Sequence, residues 1–164
     1  MSDAIPPDAI LPDTNPARRI ASSHPMAPFM NFRLRKHADY QRVYKAGRKQ
    51  FGPQMAYFFA LRDAEAAVRS ETMGPRVGLT VPKALGKATT RNRIKRRLRE
   101  AVRAALPLLS APVDVVLHPK RSVLEAEFAV IEREVETIFR GVQAAAEKQV
   151  SRSASQRVRA ESVR

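Results

Sequence analysis

One segment of this sequence combines an apolar stripe at helical spacing with an otherwise cationic surface, and it constrains the fold more than any other. It runs from about Thr90 to Leu109. Residues three and four positions apart share one face of a helix, and here that face carries Ile94, Leu98, Ala101, Val102, Ala105 and Leu106. The segment is therefore predicted to be a helix that buries one face against a second layer and keeps its Lys and Arg accessible.

The second layer is predicted to be a β-sheet. Aromatic and β-branched residues form strand-like runs at 54–61, 76–82 and 113–117, with a further short strand expected at 48–51. Residues 63–75 are predicted to form a polar loop, because the segment ends in the Gly-Pro pair typical of turns.

Two more helices are predicted, one before and one after the strands. A short helix over 37–46, ended by Gly47 in the left-handed conformation, is indicated by three residues at helical spacing, Tyr40, Val43 and Tyr44. Ser122 and Glu125 match a capping box and predict a last helix whose buried stripe is Leu124, Phe128, Ile131, Val135, Ile138, Phe139 and Val142. The order α-β-β-β-α-β-α predicts a single-domain α+β fold with helices layered on one sheet.

The ends of the chain differ from its centre. Residues 1–28 hold six of the 12 prolines, so residues 1–30 are predicted to be a disordered leader. Residues 31–146 are predicted to be the folded domain. Residues 147–164 are rich in Ser, Arg, Ala and Gln, and they are predicted to follow a fraying helix end as a flexible basic tail.

Charge restricts the partners of this chain more than its fold. The sequence has 30 Lys and Arg against 16 Asp and Glu, a formal net charge of +14, which predicts a nucleic acid or an anionic membrane surface as partner. It has no cysteine, no recognisable secretory signal and no apolar run near the roughly 20 residues that cross a bilayer. A cytoplasmic protein without a membrane partner is therefore expected.

The positive charge is concentrated in one place. Nine Lys and Arg and a single acid, Glu100, lie between Lys83 and Arg103. Like-charged pairs four residues apart, such as Arg93 and Arg97, each destabilise an isolated helix by about 0.2–0.5 kcal/mol. The alternative to binding is a solvated face, but phosphates on this face would neutralise the guanidinium groups. The segment therefore predicts a polyanion as ligand.

The same segment carries a family resemblance. Four stretches contribute to it: residues 86–101 (GKATTRNRIKRRLREA), 32–47 (FRLRKHADYQRVYKAG), 76–83 (RVGLTVPK) and 113–117 (VDVVL). Together they closely resemble the protein subunit of bacterial ribonuclease P over about residues 31–142. The departures are small: Tyr40 and Tyr44 stand where phenylalanine is common, and Ala84 replaces a frequent second lysine.

The resemblance implies both a fold and an activity. The fold would be like domain 2 of ribosomal protein S5, with an unusual left-handed βαβ crossover. The activity would be that of a ribonucleoprotein that removes the 5′ leader from precursor tRNA, with ribonuclease P RNA and precursor tRNA as partners. The RNA subunit would perform the hydrolysis with Mg²⁺, which it would bind mainly by itself, and the protein would support the RNA fold and hold the leader.

Two sets of candidate site residues follow. The first set is expected to contact the RNA subunit and consists of Lys83, Lys87, Arg91, Asn92, Arg93, Lys95, Arg96, Arg97 and Arg99. The second set is expected to line a groove for the single-stranded leader and consists of Arg33, Arg35, Lys36, Tyr40, Tyr44, Tyr57 and Phe58. Stacking on aromatic rings tolerates any base, although the two helical tyrosines also suit ordinary core positions. The sequence does not show whether Tyr57 or Phe58 faces the groove.

No catalytic or metal-binding residue is predicted in the protein. The three histidines, His24, His37 and His118, are far apart in sequence, and Asp39 and Asp114 are isolated carboxylates, whereas a metal nuclease clusters them. The alternatives are a different RNA-binding protein, such as a ribosomal or assembly factor, and a stand-alone endonuclease. A sequence-specific DNA-binding protein is a third, but the basic helix follows a strand rather than another helix, so DNA is not expected as a partner.

Overall fold

The computed structural model describes residues 32–69 and 73–163. The predicted leader, including His24, lies outside the described residues. The described part contains α1 (His37–Ala46), β1 (Arg48–Phe51), β2 (Met55–Leu61), α2 (Ala64–Arg69), β3 (Arg76–Leu79), α3 (Ala88–Ala105), β4 (Val113–Pro119) and α4 (Phe128–Ser162). The predicted α+β class is confirmed, and α2 is the element that the predicted order lacks.

The strands form one mixed sheet in the order β1-β2-β4-β3. β2 pairs antiparallel with both β1 and β4, whereas β3 and β4 are parallel and are joined through α3, as parallel neighbours require a crossover. On the free side of β3, the backbone of Val77 bonds to Phe32 (N to O, 2.7 Å) and to Leu34 (O to N, 3.1 Å). The segment before α1 therefore extends the sheet at the β3 edge.

The sheet separates two hydrophobic layers. α3 and α4 cover one face and enclose the main core, whose members include Met55, Val77, Ile94, Leu98, Val115, Leu117, Ile131 and Phe139. α1 lies on the other face over a smaller cluster of Leu34, Val43, Ala60 and Val116. Because successive strand residues point to opposite faces, β2 and β4 each supply both layers.

Two predictions about local structure are wrong. Residues 63–75 are not all loop, because Asp63 accepts a hydrogen bond from the backbone N–H of Ala66 (2.7 Å) and so caps α2. Ser122 and Glu125 do not form a capping box, because Arg121–Leu124 is a 3₁₀ turn and α4 begins at Phe128.

The ends of the last helix also differ from the prediction. Leu124 and Phe128 are 38% and 37% exposed and do not belong to the buried stripe. At the other end, α4 continues to Ser162 rather than fraying near residue 146. Ala146 is the last buried residue of α4, and residues 147–163 are exposed.

Gly47 is needed for a reason other than the predicted one. Its φ of −82° is not left-handed. A Cβ at this position would lie 2.4 Å from the carbonyl oxygen of Val43 and 2.7 Å from that of Phe59. Glycine therefore lets the end of α1 approach β2 closely.

A buried carboxylate ties α1 to the sheet. Asp114 on β4 is fully buried and pairs with three guanidinium groups: Arg42 of α1 at 2.5 Å, Arg62 after β2 at 3.1 Å and Arg76 of β3 at 2.7 Å. Arg76 also pairs with Asp39 of α1 at 3.2 Å. Burial alone would lower the pKa of Arg76, but the two carboxylates raise it above its ordinary value. Arg76 therefore stays charged.

A second buried carboxylate ties the β1–β2 turn to α4. Glu134 accepts hydrogen bonds from the backbone N–H groups of Gln54 (2.9 Å) and Met55 (3.0 Å). Burial raises the pKa of this carboxyl, while the two amides act in the opposite direction. A Cβ on Gly52 would clash with a Glu134 carboxylate oxygen, so a larger residue there would displace this carboxylate from the two amides.

We expect Asp114→Asn to destabilise the fold by about 3–5 kcal/mol, because it leaves buried guanidinium groups without their countercharge. Urea unfolding followed by circular dichroism measures the effect. Glu125→Gln, which removes one exposed carboxylate, is the matched control and should stay within about 0.5 kcal/mol of the parent. Equal midpoints for the two variants would show that the Asp114 cluster contributes nothing to stability.

Candidate nucleic-acid interface

No side chain of the described residues caps the backbone amides in the first turn of the basic helix α3. Gly86, with φ of +126°, ends the 3₁₀ turn Lys83–Leu85 and leads the chain into α3, a conformation that favours glycine. Lys87 is the N-cap, its side chain makes no capping bond, and the first turn carries no acid. The amide donors at this end of α3 and the cations around them both favour an anion.

The two faces of α3 divide as predicted. Its buried residues are Ile94, Leu98, Ala101, Val102 and Ala105. The candidate RNA-binding residues with exposed side chains are Lys83, Lys87, Asn92, Arg93 and Arg96, while those of Arg91, Lys95 and Arg99 are half-buried. The single acid on the helix, Glu100, pairs with Arg103 at 3.6 Å. The helix thus presents a cationic face whose charges its own residues barely offset.

Arg97 differs from the other candidates on α3. It is half-buried, and its guanidinium donates to the carbonyl oxygens of Val123 (3.2 Å) and Ala126. These bonds hold the segment between β4 and α4 against α3. Arg97 therefore has a structural role that its place in the basic run did not indicate.

The two predicted sets of residues meet at the β3 edge. A cavity of about 290 Å³ opens there between the segment before α1, β3 and α3. Arg33 and Tyr40 from the predicted leader groove line it together with Lys95, Arg99 and Arg103 from α3. The phenolic O–H of Tyr40 donates to the Leu34 carbonyl at 3.3 Å, and its burial raises its pKa. The cavity thus connects the basic face of α3 with the α1 face of the sheet.

An aromatic cluster lies beside α1 on that face of the sheet. The Tyr44 and Phe58 rings meet edge to face at 5.0 Å, and the His118 ring lies 5.4–5.5 Å from both. The Tyr44 hydroxyl forms hydrogen bonds with His118 Nε2 (2.9 Å) and Thr80 Oγ1 (3.1 Å). Burial, and secondly the charge of Lys49, lower the pKa of His118, so its imidazole is neutral at pH 7.

Cations border the aromatic cluster on the β1 side. The Lys49 ammonium lies 5.0 Å from the Phe51 ring centre and 5.9 Å from that of Phe58. Lys120 lies 5.7 Å from Phe51 and donates to the Gly52 carbonyl at 2.6 Å. Phe51 is 69% exposed. We call the surface formed by Tyr44, Phe58, His118, Lys49 and Phe51 the aromatic face.

Tyr57, a candidate for the leader groove, does not belong to the aromatic face. It packs against the main core and stacks on Phe59 at 6.4 Å, on the α3 and α4 side of the sheet. Neighbouring strand residues point to opposite faces, so Tyr57 and Phe58 cannot share one groove. The remaining candidates, Arg35 and Lys36, are exposed before α1.

The sequence analysis did not identify His118, Lys49 and Phe51 as members of this face. The alternation of side chains along β1 and β4 is the pattern that could have placed them there. Lys49 lies opposite Phe58 in the register, and Phe51 is two residues further along the same strand. His118 follows Val116 by two residues on β4, but the predicted strand ended at residue 117, whereas β4 continues to Pro119.

Neither metal ligands nor a membrane span is found in the described ranges. Across residues 32–69 and 73–163, no three His, Asp or Glu side chains lie close enough together to hold a metal ion. Among the helices of those ranges, none is long and apolar enough to cross a membrane.

Comparison of the sequence with known proteins identifies related proteins. Residues 30–143 match a family model described as Ribonuclease P. The Ribonuclease P protein component of Bartonella quintana (strain Toulouse) is 40% identical over 100 residues, covering 60% of this chain and 74% of the relative. That of Finegoldia magna is 33% identical over 100 residues, covering 61% of this chain and 80% of the relative.

Solved structures share the fold. The Staphylococcus aureus RNase P protein at 2.0 Å is 26% identical, with a TM-score of 0.57 over 68% of this chain and 95% of that one. The Thermotoga maritima RNase P protein, 23% identical, has a TM-score of 0.56 over 66% and 94% of the two chains and supports the fold alone. Since the family model matches well over half of its length, this chain belongs to the family of protein subunits of bacterial ribonuclease P.

Proposed function

We propose that this chain is the protein component of a ribonuclease P ribonucleoprotein that forms mature tRNA 5′ ends. In this proposal α3 binds the catalytic RNA, the aromatic face binds the 5′ leader of precursor tRNA, and no protein residue is catalytic. The observation that carries the proposal is the cavity at the β3 edge, where Arg33 and Tyr40 meet Lys95 and Arg99. One bound RNA surface can therefore continue from α3 onto the α1 face.

The proposed contact with the RNA subunit rests on charge. Exposed Arg93, Arg96 and Asn92 and the uncapped first turn of α3 offer donors that suit phosphate oxygens. Each cation that meets a phosphate releases counterions, so the affinity should fall steeply with salt. Arg97 would contribute mainly by holding the segment after β4 in place.

The proposed contact with the leader rests on aromatic rings and cations on one face. Tyr44, Phe58 and exposed Phe51 offer stacking surfaces, and Lys49 and Lys120 lie within 6 Å of the Phe51 ring. Stacking is largely independent of sequence, which suits a leader that differs from one precursor to the next. Neutral His118 fixes the Tyr44 hydroxyl and with it the orientation of that ring.

Hydrolysis is assigned to the RNA subunit with Mg²⁺. Asp39 and Asp114, the two carboxylates singled out in the sequence, are both paired with arginines and so are engaged within the fold. We further propose a left-handed sense for the β3-α3-β4 crossover, as in the S5-like fold that the family resemblance implies, and a cytoplasmic location alongside precursor tRNA.

Reconstitution tests the proposal as a whole. The protein is combined with the ribonuclease P RNA of its own source at low Mg²⁺, and 5′ processing of a labelled precursor tRNA is followed. We expect strong stimulation over the RNA alone and no cleavage by the protein alone. Cleavage without RNA would favour a stand-alone endonuclease. Binding without stimulation would indicate an RNA-binding protein with another target.

The contribution of α3 is tested by Arg91→Ala with Arg93→Ala. We expect weaker binding of the RNA subunit and a decrease of about one in the slope of log affinity against log salt for each lost phosphate contact. Filter binding over a series of salt concentrations measures both. The control pair, Arg133→Ala with Arg140→Ala, removes the same charge from exposed positions on α4 and should leave the slope unchanged; equal losses in both pairs would mean non-specific attraction.

The contribution of the aromatic face is tested by Tyr44→Ala and Phe51→Ala. Each should reduce the preference of the holoenzyme for precursor tRNA over mature tRNA by about 1–3 kcal/mol for each base that loses its stacking partner. Equilibrium binding of the two tRNAs measures the preference. Tyr57→Ala, on the opposite face, is the control and should not change it. An unchanged preference in all three variants would place the leader elsewhere.

A further inference from the structure

The last part of α4 lies beyond the region shared with the family. The family model ends at residue 143, whereas α4 continues to Ser162. We call residues 147–162 the C-terminal arm. All of its residues are exposed, and an unpacked helix of this length is marginal in water. Its helical state is therefore poorly explained by contacts within the described chain.

The arm has a net positive charge. Residues 147–162 hold four bases, Lys148, Arg152, Arg157 and Arg159, and two acids, Glu147 and Glu161, at the two ends. Lys148 and Arg152 are four residues apart, an arrangement of like charges that disfavours an isolated helix. The preceding, acid-rich part of α4 has the opposite balance, with three acids and two bases over residues 128–146. The same helix thus changes sign where it leaves the family region.

The start of the arm forms one wall of a groove. The groove has a volume of about 430 Å³ and lies between α4 and the junction of α1 with β1. Lys148, Gln149 and Arg152 line it from the arm, Arg48 lines it from β1, and Phe59 and Leu61 of β2 contribute apolar surface. We call this the arm groove.

The cations of the arm groove converge from separate parts of the chain. Arg48 lies opposite Phe59 in the β1–β2 register and points to the α4 side of the sheet, more than 90 residues before Lys148 and Arg152 in the sequence. The lining contains no acid. Three positive charges that face one concavity without a countercharge repel one another, and a bound anion would remove that repulsion.

We infer that the arm groove is a second RNA-binding site, which holds backbone phosphates between Arg48 on β1 and Lys148 and Arg152 on the C-terminal arm. This inference rests on the proposed function, since it requires an RNA partner. It is separate from α3 and from the aromatic face, because Arg48 and Lys49 point to opposite sides of the sheet. The phosphates belong either to the RNA subunit or to precursor tRNA.

The test is the triple substitution Arg48→Gln, Lys148→Gln and Arg152→Gln in the full-length chain. Binding to the RNA subunit is measured over a series of salt concentrations, and binding of the reconstituted holoenzyme to precursor tRNA is measured separately. Loss of three phosphate contacts should weaken one of the two by about 10- to 100-fold near 0.1 M salt and flatten its salt dependence. A loss in the first assay identifies the RNA subunit as the source, and a loss confined to the second identifies precursor tRNA.

Two controls keep the outcome unambiguous. Arg121→Gln, Arg133→Gln and Arg140→Gln remove the same charge from exposed positions in or just before the acid-rich part of α4 and should leave both affinities unchanged. Circular dichroism and thermal unfolding should show all variants folded. If the arm-groove variant binds both RNAs like the parent, the inference is wrong. In that case the proposed function still stands if the variant with Arg91→Ala and Arg93→Ala loses affinity for the RNA subunit. If the unmodified protein binds neither RNA, the proposed function itself is wrong.

Discussion

The pairing of buried Asp114 with three arginines is the interaction on which the rest of the structure depends. A lone carboxylate at this depth would be strongly unfavourable, and so would Arg62 and Arg76 without it. The cluster is stable only when α1, the end of β2 and β3 are all in place around β4. It therefore fixes α1 across the sheet, and with α1 it fixes the positions of Tyr40 and Tyr44. The aromatic face exists because this charge cluster holds its helix.

The two faces of the mixed sheet have different roles. Alternation along β2 places Tyr57 and Phe59 against the main core and Phe58 beside Tyr44. The core side fixes the register, since a shift by one residue would expose it. The α1 side is left free to carry rings and cations that make few demands on packing. β3 lies at the edge, so α3 and the α1 face approach each other there and share one cavity.

Sequence alone could predict the elements whose apolar periodicity is local. α3, its exposed cations and the main strands follow from spacing, and the family resemblance indicated an RNA subunit as their partner. The sequence could not show contacts between residues that are far apart along the chain. Asp114 reads as an isolated carboxylate because Arg42 and Arg76 are 72 and 38 residues away. Tyr57 was grouped with Phe58 because adjacency in sequence hides the two faces of a strand, and Arg97 looked like its neighbours because the carbonyls it meets belong to another segment.

The distribution of charge explains how the fold tolerates a net charge of +14. The buried acids Asp114 and Glu134 are occupied by arginines and backbone amides, so they offset none of the exposed charge on α3. Exposed cations on α3 are offset by little more than Glu100, and their mutual repulsion weakens the free protein. Whatever anion binds only the folded chain stabilises it by mass action. The proposed RNA would therefore strengthen the fold as it binds, most of all at α3, where the repulsion between like charges is concentrated.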